Sequence, residues 1–167
     1  MVPQKLLEYL DSRNVRYSVI SHSPTFTAQE TASIAHIPGR EIAKTVIVKA
    51  DGRMMMVVLP ASEMVDLRSL RKAVGAVSAE LAHEDEFGHV FGECEAGAMP
   101  PFGNLYGMEV VVANDLGDDR DIAFNAGTHH ELVRMAYADY DRLVHPKHAA
   151  VGVPRRSREE TGWTYDG

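Results

Sequence analysis

The segment from Ala43 to Pro60 constrains the fold of this chain more than any other, because it predicts a pair of adjacent strands. It reads AKTVIVKA, then Asp51 and Gly52, then RMMMVVLP. Two short apolar runs on either side of an Asp-Gly pair are typical of an antiparallel hairpin closed by a type I′ turn. We interpret the run Met54–Met56 as part of a strand that is buried on both faces, not as a set of ligands.

Shorter elements flank this hairpin on both sides. Helical patterns cover residues 4–12, 27–35 with a Thr27–Glu30 capping box, 66–74 with Gly75 as the stop, 79–91 as one or two short helices, and 129–140. Strand patterns cover residues 15–21, 107–115, 121–127 and 141–145. Because strands and helices alternate irregularly around one hairpin, we predict a single α/β domain with a mixed sheet.

Length and charge limit the organisation of the chain and its partners. The 167 residues carry a net charge of −7 and are 45% hydrophobic, which fits one domain with a sizeable core. We assign the domain to residues 1–147 and a flexible tail to residues 148–167, where periodicity stops; Trp163 could still dock that tail. The charge argues against nucleic-acid binding driven by bulk charge, but local cations such as those at 155–158 could hold one.

The sequence predicts neither a membrane span nor a secretory leader. A span needs about 18 consecutive apolar residues, and no window approaches that length. The N-terminal pattern lacks the apolar run and the small-residue cleavage site of a signal peptide. We therefore expect a cytoplasmic protein.

Most familiar catalytic motifs are missing from the sequence, including GxGxxG, the Walker loop, GxSxG and HExxH. Cys94, the one cysteine, is a candidate nucleophile by identity. Its neighbours Glu93 and Glu95 disfavour a thiolate, so an inert thiol is the favoured interpretation. The eight histidines show no convincing ligand spacing, and we expect neither a metal nor a cofactor.

Three stretches remain as candidates for a site. Lys44 shares one face of its strand with Val46 and Val48, so its side chain either reaches solvent at the strand end or faces a cleft. The stretch CEAGAMPPFGN, residues 94–104, is stiff and nearly uncharged, and cannot continue a helix or a sheet. The stretch FNAGTHH predicts a turn and a helix that starts near Thr128, whose N–H groups could bind an anion or a carbonyl oxygen. Taken alone, this stretch is better explained as a plain capped helix start.

Four segments in order carry a resemblance to a known family: HSPTFTAQETA, AKTVIVKADG, GAMPPFGNLYG and FNAGTHHELVRM. Over residues 15–146 the chain resembles the YbaK/prolyl-tRNA-synthetase-associated family of aminoacyl-tRNA editing domains. The resemblance implies a compact α/β domain with a mixed, barrel-like sheet and flanking helices. It also implies a free-standing deacylase that hydrolyses the ester between a wrong amino acid and the terminal adenosine of a tRNA. The partners implied are the acceptor end of a mischarged tRNA and, further, a synthetase or elongation factor.

The resemblance also assigns roles to residues. It gives catalytic roles to Lys44, Gly97 and Pro101, with the lysine orienting the terminal adenosine and its phosphate and the loop amides meeting the ester. The implied substrate-binding residues are Thr27, Ala98, Met99, Pro100, Phe102, Gly103, Asn125, Gly127, Thr128 and His129. The ribose 2′-hydroxyl of the substrate is implied to help activate water. A non-catalytic binding module for a nucleotide, an aminoacyl group or a protein partner remains the alternative, since no general base is evident.

Overall fold

The predicted hairpin lies at the centre of the fold in the computed structural model, which describes residues 2–23, 28–118 and 120–154. The strands are β1 (Tyr17–Ser21), β2 (Ile42–Ala50), β3 (Arg53–Pro60), β4 (Glu63–Val65), β5 (Ala79–Leu81), β6 (Val110–Ala113), β7 (Asp121–Asn125), β8 (Glu131–Ala136), β9 (Lys147–Ala149) and β10 (Gly152–Pro154). The α-helices are α1 (Gln4–Ser12), α2 (Ala28–Ala35), α3 (Leu67–Val74), α4 (Glu84–Phe87) and α5 (Tyr137–Val144).

The turn between β2 and β3 has the predicted geometry. Asp51 and Gly52 have φ values of 51° and 81°, and a type I′ turn requires positive φ at both central positions. The two strands pair in register from Ala43 opposite Pro60 to Ala50 opposite Arg53. The hairpin prediction is therefore confirmed, including its turn type.

The sheet is mixed, as predicted. Its eight strands run in the order β1-β8-β7-β2-β3-β6-β9, and β5 pairs with the far end of β2. The pairs β2–β7, β3–β6 and β6–β9 are parallel, whereas the other pairs of this sheet are antiparallel. A separate two-stranded sheet joins β4 to β10. This arrangement brings the starts of β2 and β4 and the ends of β6 and β7 to one side of the molecule.

Alternating side chains of β2 face two different core clusters. Ile47 packs with Met56 and Phe124 in one cluster, whereas Val46 and Val48 belong to another that contains residues of β3, α3 and β6. Helices cover both faces, because α1 packs into the first cluster and α3 into the second. β2 and most of β3 are therefore buried on both sides, and the burial predicted for Met54–Met56 holds for Met55 and Met56, whereas Met54 is partly buried.

The prediction for residues 129–145 was wrong in type. Residues 131–136 form β8 instead of a helix, and residues 137–144 form α5, so the strand predicted for 141–145 is the last part of a helix. The sequence ELVRMA consists mostly of good helix formers, which favours a helix locally. In the fold, however, both edges of β8 find partner strands, β1 and β7, and tertiary pairing overrides that preference.

Two further predictions are corrected. Residues 79–81 are a strand paired with β2, and the helical part of the segment 79–91 begins only at Glu84. Residues 147–154 are not a flexible tail, because β9 pairs with β6 and β10 pairs with β4. Val151 between them is fully buried. Strands of three residues are too short to show a period, so the sequence pattern missed them.

The remaining predictions for the tail concern Trp163, Arg155, Arg156 and Arg158. These residues lie outside the described ones. Within the described ranges, no helix is long and apolar enough to cross a membrane.

Candidate active site

Two backbone hydrogen bonds join two segments that are distant in sequence. We call residues 97–101 the proline loop and residues 125–128 the glycine turn. The N–H of Gly127 donates to the carbonyl of Ala98 at 2.8 Å, and the N–H of Glu95 donates to the carbonyl of Gly127 at 2.8 Å. The fold therefore brings two of the three stretches singled out in the sequence into one place.

The glycine turn is the tip of the β7–β8 hairpin and not the start of a helix. The N–H of Ala126 donates to the carbonyl of Glu131 at 3.1 Å and closes the hairpin. The hydroxyl of Thr128 donates to the Glu131 carboxylate at 3.2 Å and accepts from the N–H of His130. The prediction of a helix start at Thr128 is therefore wrong, because the chain returns along β7 instead of turning into a helix.

His129 connects the glycine turn to the segment before the proline loop. Its backbone N–H donates to the Glu95 carboxylate at 2.8 Å, and its ring Nε2 contacts the carbonyl oxygen of Ala96 within hydrogen-bonding distance. These contacts occupy the backbone donor and one ring nitrogen of His129. In this structure the residue holds the two segments together.

The side chains of the proline loop and of the two residues after it are buried. Ala98, Met99 and Phe102 are between 0% and 3% exposed. The Tyr140 hydroxyl donates to the Pro101 carbonyl at 2.7 Å, and the Phe102 ring packs edge-on against Tyr140.

Gly103 is required for space, since a Cβ there would lie 2.6 Å from Val110 and 2.8 Å from the carbonyl oxygen of Met108. Phe102 and Gly103 are therefore packed in the interior, and their contact with substrate stays a prediction. Because the side chains of the loop are buried, its backbone is the part that can contact a ligand.

Three backbone N–H groups at the junction have no hydrogen-bond acceptor among the residues that the structure describes. They belong to Gly97, Met99 and Thr128. Pro100 and Pro101 have no N–H at all, so the loop cannot form a regular ladder with a neighbouring strand. Gly97 has φ of 79°, a left-handed conformation that other residues rarely adopt. Unpaired N–H groups in a fixed loop form a site for a carbonyl oxygen or an oxyanion.

Lys44 and Asn125 lie next to this junction. The parallel β2–β7 pairing ends at Ala43 opposite Phe124, so Lys44 and Asn125 come next in the two strands and point to the same face. Lys44 is only 5% exposed, which places it in the interior instead of at a solvated strand end. The Oδ1 of Asn125 is buried and has no hydrogen-bond partner among the described residues, so it can accept from a ligand.

Two carboxyl groups that the sequence analysis missed lie near this end of β2: Glu63, on which the charge of Lys44 acts, and Asp115 beside Glu63. Glu63 begins β4, and Asp115 lies in the 3-10 turn that follows β6. Burial, and after it the hydrogen bond and negative charge of Asp115, raise the pKa of Glu63 to about 8, while the charge of Lys44 opposes this rise. One signal in the sequence could have pointed to these two acids, because each of them closely follows an apolar strand.

The other candidates contribute less. Burial raises the pKa of the Cys94 thiol to about 11, and Glu93 adds to the effect, so the thiol stays protonated at neutral pH and makes a poor nucleophile. No group of three or more His, Cys, Asp or Glu in the described ranges could hold a metal ion. Thr27 lies outside the described residues.

Comparison with known proteins identifies the kind of domain. A family model described as "Aminoacyl-tRNA editing domain" matches residues 22–143. The chain is 29% identical over 150 residues to the "Multifunctional Ser/Thr-tRNA deacylase ProXp-y" of Escherichia coli (strain K12), which covers 86% of this chain and 89% of the relative. It is 26% identical over 147 residues to the "Prolyl-tRNA editing protein ProX" of Acetoanaerobium sticklandii, covering 84% and 89%.

Solved structures agree on the fold. The hypothetical protein APE2540 superposes with a TM-score of 0.81 at 22% identity, covering 90% of this chain and all of that one. A candidate trans-editing enzyme for prolyl tRNA synthetase superposes with a TM-score of 0.77 at 19% identity, covering 90% and 96%. With a family model that spans most of its length and relatives matched almost end to end, this chain belongs to the aminoacyl-tRNA editing domain family.

Proposed function

We propose that this protein is a trans-editing deacylase, which hydrolyses the ester between a mismatched amino acid and the terminal adenosine of a tRNA. The observation that carries the proposal is the junction of the proline loop and the glycine turn. Three backbone N–H groups there, beside a buried lysine, have no acceptor in the part of the chain that the structure describes. The curated relatives support it, because they are named as a Ser/Thr-tRNA deacylase and a prolyl-tRNA editing protein.

The chemistry follows from the donors that the site offers. Water attacks the ester carbonyl, whose carbon becomes tetrahedral while its oxygen becomes an oxyanion. The carbon–oxygen bond to the ribose then breaks, and a proton of the water ends on the ribose oxygen, which leaves as a hydroxyl. The N–H groups of Gly97, Met99 and Thr128 are candidates to stabilise that oxyanion. Because the loop is already held by Tyr140 and by the glycine turn, these donors need little reorganisation during the reaction. The substrate's own 2′-hydroxyl can help to position the water.

Lys44 and Asn125 fit the two ends of such a substrate. An ammonium group is a point charge suited to a phosphate oxygen, so we assign Lys44 to the phosphate of the terminal adenosine. The Oδ1 of Asn125, which has no donor within residues 2–23, 28–118 and 120–154, is an acceptor, and the protonated α-amino group of an aminoacyl ester is the matching donor. In this arrangement the ester lies between them, over the backbone of the proline loop.

A panel of mischarged tRNAs tests the proposed function. We expect hydrolysis of tRNAs that carry small amino acids, with serine, threonine and alanine tested first, and slow or no hydrolysis of those with large side chains. Release of labelled amino acid is measured against a blank without enzyme. Binding of tRNA or nucleotide without hydrolysis of any member of the panel would instead identify a non-catalytic binding module.

Because the net charge of −7 repels the phosphates of tRNA, we propose that the protein contacts only the acceptor end, or binds tRNA together with a synthetase or an elongation factor. We propose that Arg155, Arg156 and Arg158 add phosphate contacts. Deleting residues 155–167 is expected to weaken tRNA binding and to reduce the slope of log K against log salt by up to about 2–3. The deletion must spare β9 and β10, because residues 147–154 are paired in the sheets. An unchanged slope by fluorescence titration would contradict this contribution.

A further inference from the structure

Three strand ends bring Lys44, Glu63 and Asp115 together. Lys44 lies opposite Leu59 near the end of the β2–β3 hairpin, and Glu63 follows four residues later along the chain. β6 runs parallel to β3 and beside it, so the turn that contains Asp115 emerges at the same edge of the sheet. The strand order thus sets the cluster, in which Glu63 interacts with both Lys44 and Asp115.

Glu63 is held in this cluster by a space made for it. Its Oε1 is buried and has no hydrogen-bond partner among the described residues. A Cβ at Gly152 would lie 2.0 Å from that oxygen and 3.2 Å from Cδ. Gly152 pairs with Val65 of β4, so β10 passes directly over the carboxyl and leaves room only because it has a glycine there.

Two charged groups act on the Glu63 carboxyl, and they do so with opposite signs. Asp115, from the turn after β6, hydrogen-bonds to it and repels its negative charge, while Lys44, from β2, attracts that charge. From β10 the carboxyl meets Gly152, which carries no charge. Glu63 is partly buried and Asp115 is exposed, and a partly buried carboxyl beside a second carboxylate does not ionise easily. Burial and Asp115 together raise the pKa of Glu63 to about 8, so the pair holds a proton at neutral pH.

We propose that Glu63 is a positioning residue for Lys44: Glu63 and Asp115 share one proton, so that the pair presents a single negative charge to the lysine. One negative charge is enough to hold the ammonium at the strand end. It leaves the site close to neutral, and a phosphate can still approach the lysine. The inference rests on the proposed function, in which Lys44 orients the terminal phosphate of tRNA.

Loss of the shared proton changes this balance. With both carboxyls ionised, two negative charges face one lysine, which binds the ammonium more tightly and repels an incoming phosphate. The deacylase should therefore lose kcat/KM as Glu63 ionises, mainly through a higher KM for tRNA. A glutamine at position 63 has nearly the shape of the protonated acid and cannot ionise, so it should remove this loss.

The test compares Glu63→Gln with the wild-type protein between pH 7 and pH 9. At each pH the rate without enzyme is subtracted, and because both proteins act on the same ester, the ratio of their kcat/KM values cancels the effect of pH on the ester itself. That ratio is expected to rise about tenfold in favour of the glutamine variant from pH 7 to pH 9. Asp115→Asn, which also limits the pair to one negative charge, is expected to raise the ratio in the same direction. Glu80→Gln is the matched control, because Glu80 is 70% exposed and bridges Lys49, and its ratio should stay flat.

Thermal unfolding supplies a readout that needs no activity. A Glu63 pKa raised above its unfolded value contributes stability that is fully present below about pH 4.5 and is lost as pH rises to about 8. The Tm of the wild-type protein should therefore fall over that window relative to Glu63→Gln. An activity ratio that stays flat with pH while the wild-type protein is active overturns the inference, whatever the Tm does. A wild-type protein inactive on every mischarged tRNA overturns the proposed function, and the inference with it.

Discussion

Replacing Lys44 with alanine should lower kcat/KM for deacylation of a mischarged tRNA by about 10- to 100-fold, measured by release of labelled amino acid. Lys44 lies at 5% exposure beside the glycine turn, where a substrate phosphate would be shielded from water. A hydrogen bond to a charged group contributes about 1.5–3 kcal/mol, and about 1.4 kcal/mol corresponds to a factor of ten in rate. Because the contact is to the phosphate and not to the reacting ester, most of the loss should appear in KM.

Lys49 offers a matched control on the same strand. Its side chain is 25% exposed and pairs with Glu86 at 2.7 Å and Glu80 at 3.4 Å, so it is a lysine with carboxylate partners that lies away from the proline loop. Lys49→Ala is expected to leave kcat/KM within about twofold of wild type, since surface ion pairs contribute little. Full activity in Lys44→Ala, or an equal loss in both variants, would remove the assignment of Lys44.

The fold should survive the loss of Lys44 at neutral pH. The lysine charge lowers the pKa of Glu63, so its removal makes the Glu63–Asp115 pair hold its shared proton more firmly. The pair then keeps one negative charge and not two, and the cost of leaving it without a cation is limited. Circular dichroism and Tm at pH 7 check this point, and they separate a catalytic defect from unfolding.

Local patterns predicted the parts of the fold that are decided locally. The Asp51-Gly52 turn needs only its own two residues to adopt positive φ, and the buried β2–β3 hairpin follows from two apolar runs. The proline loop was also recognisable, because proline and glycine restrict the chain wherever they occur. The order of the four motifs carried the resemblance to a family, which no single motif could supply.

Features that depend on distant contacts were not predictable in this way. β8 is a strand only because β1 and β7 lie on its two sides, and its own residues favour a helix. The approach of Glu63 to Asp115 depends on the parallel pairing of β3 and β6 and on the absence of a side chain at Gly152. None of these can be inferred from the neighbours of each residue in sequence, so the carboxyl pair went unnoticed until the strands were placed.

Replacing Gly97 with alanine should lower kcat for deacylation by about 100-fold, which is the loss found when one oxyanion donor is removed from an enzyme. Gly97 has φ of 79°, and an alanine there is strained by about 1–2 kcal/mol. The loop can relieve that strain by rotating the peptide groups around Gly97, which redirects the unpaired N–H groups of Gly97 and Met99. Ground-state binding of tRNA through Lys44 should persist, so the defect should fall on kcat more than on KM.

Gly107→Ala separates this effect from strain alone. Gly107 has φ of 70°, and a Cβ there would meet no atom within 4 Å, so alanine carries the same kind of backbone penalty outside the proline loop. Both variants should lose a similar few degrees of Tm, but only Gly97→Ala should lose catalysis. If both variants lost activity in proportion to their stability, the proline loop would be a structural element only. If kcat fell in Gly97→Ala alone, the direction of its backbone N–H groups would be the property on which hydrolysis depends.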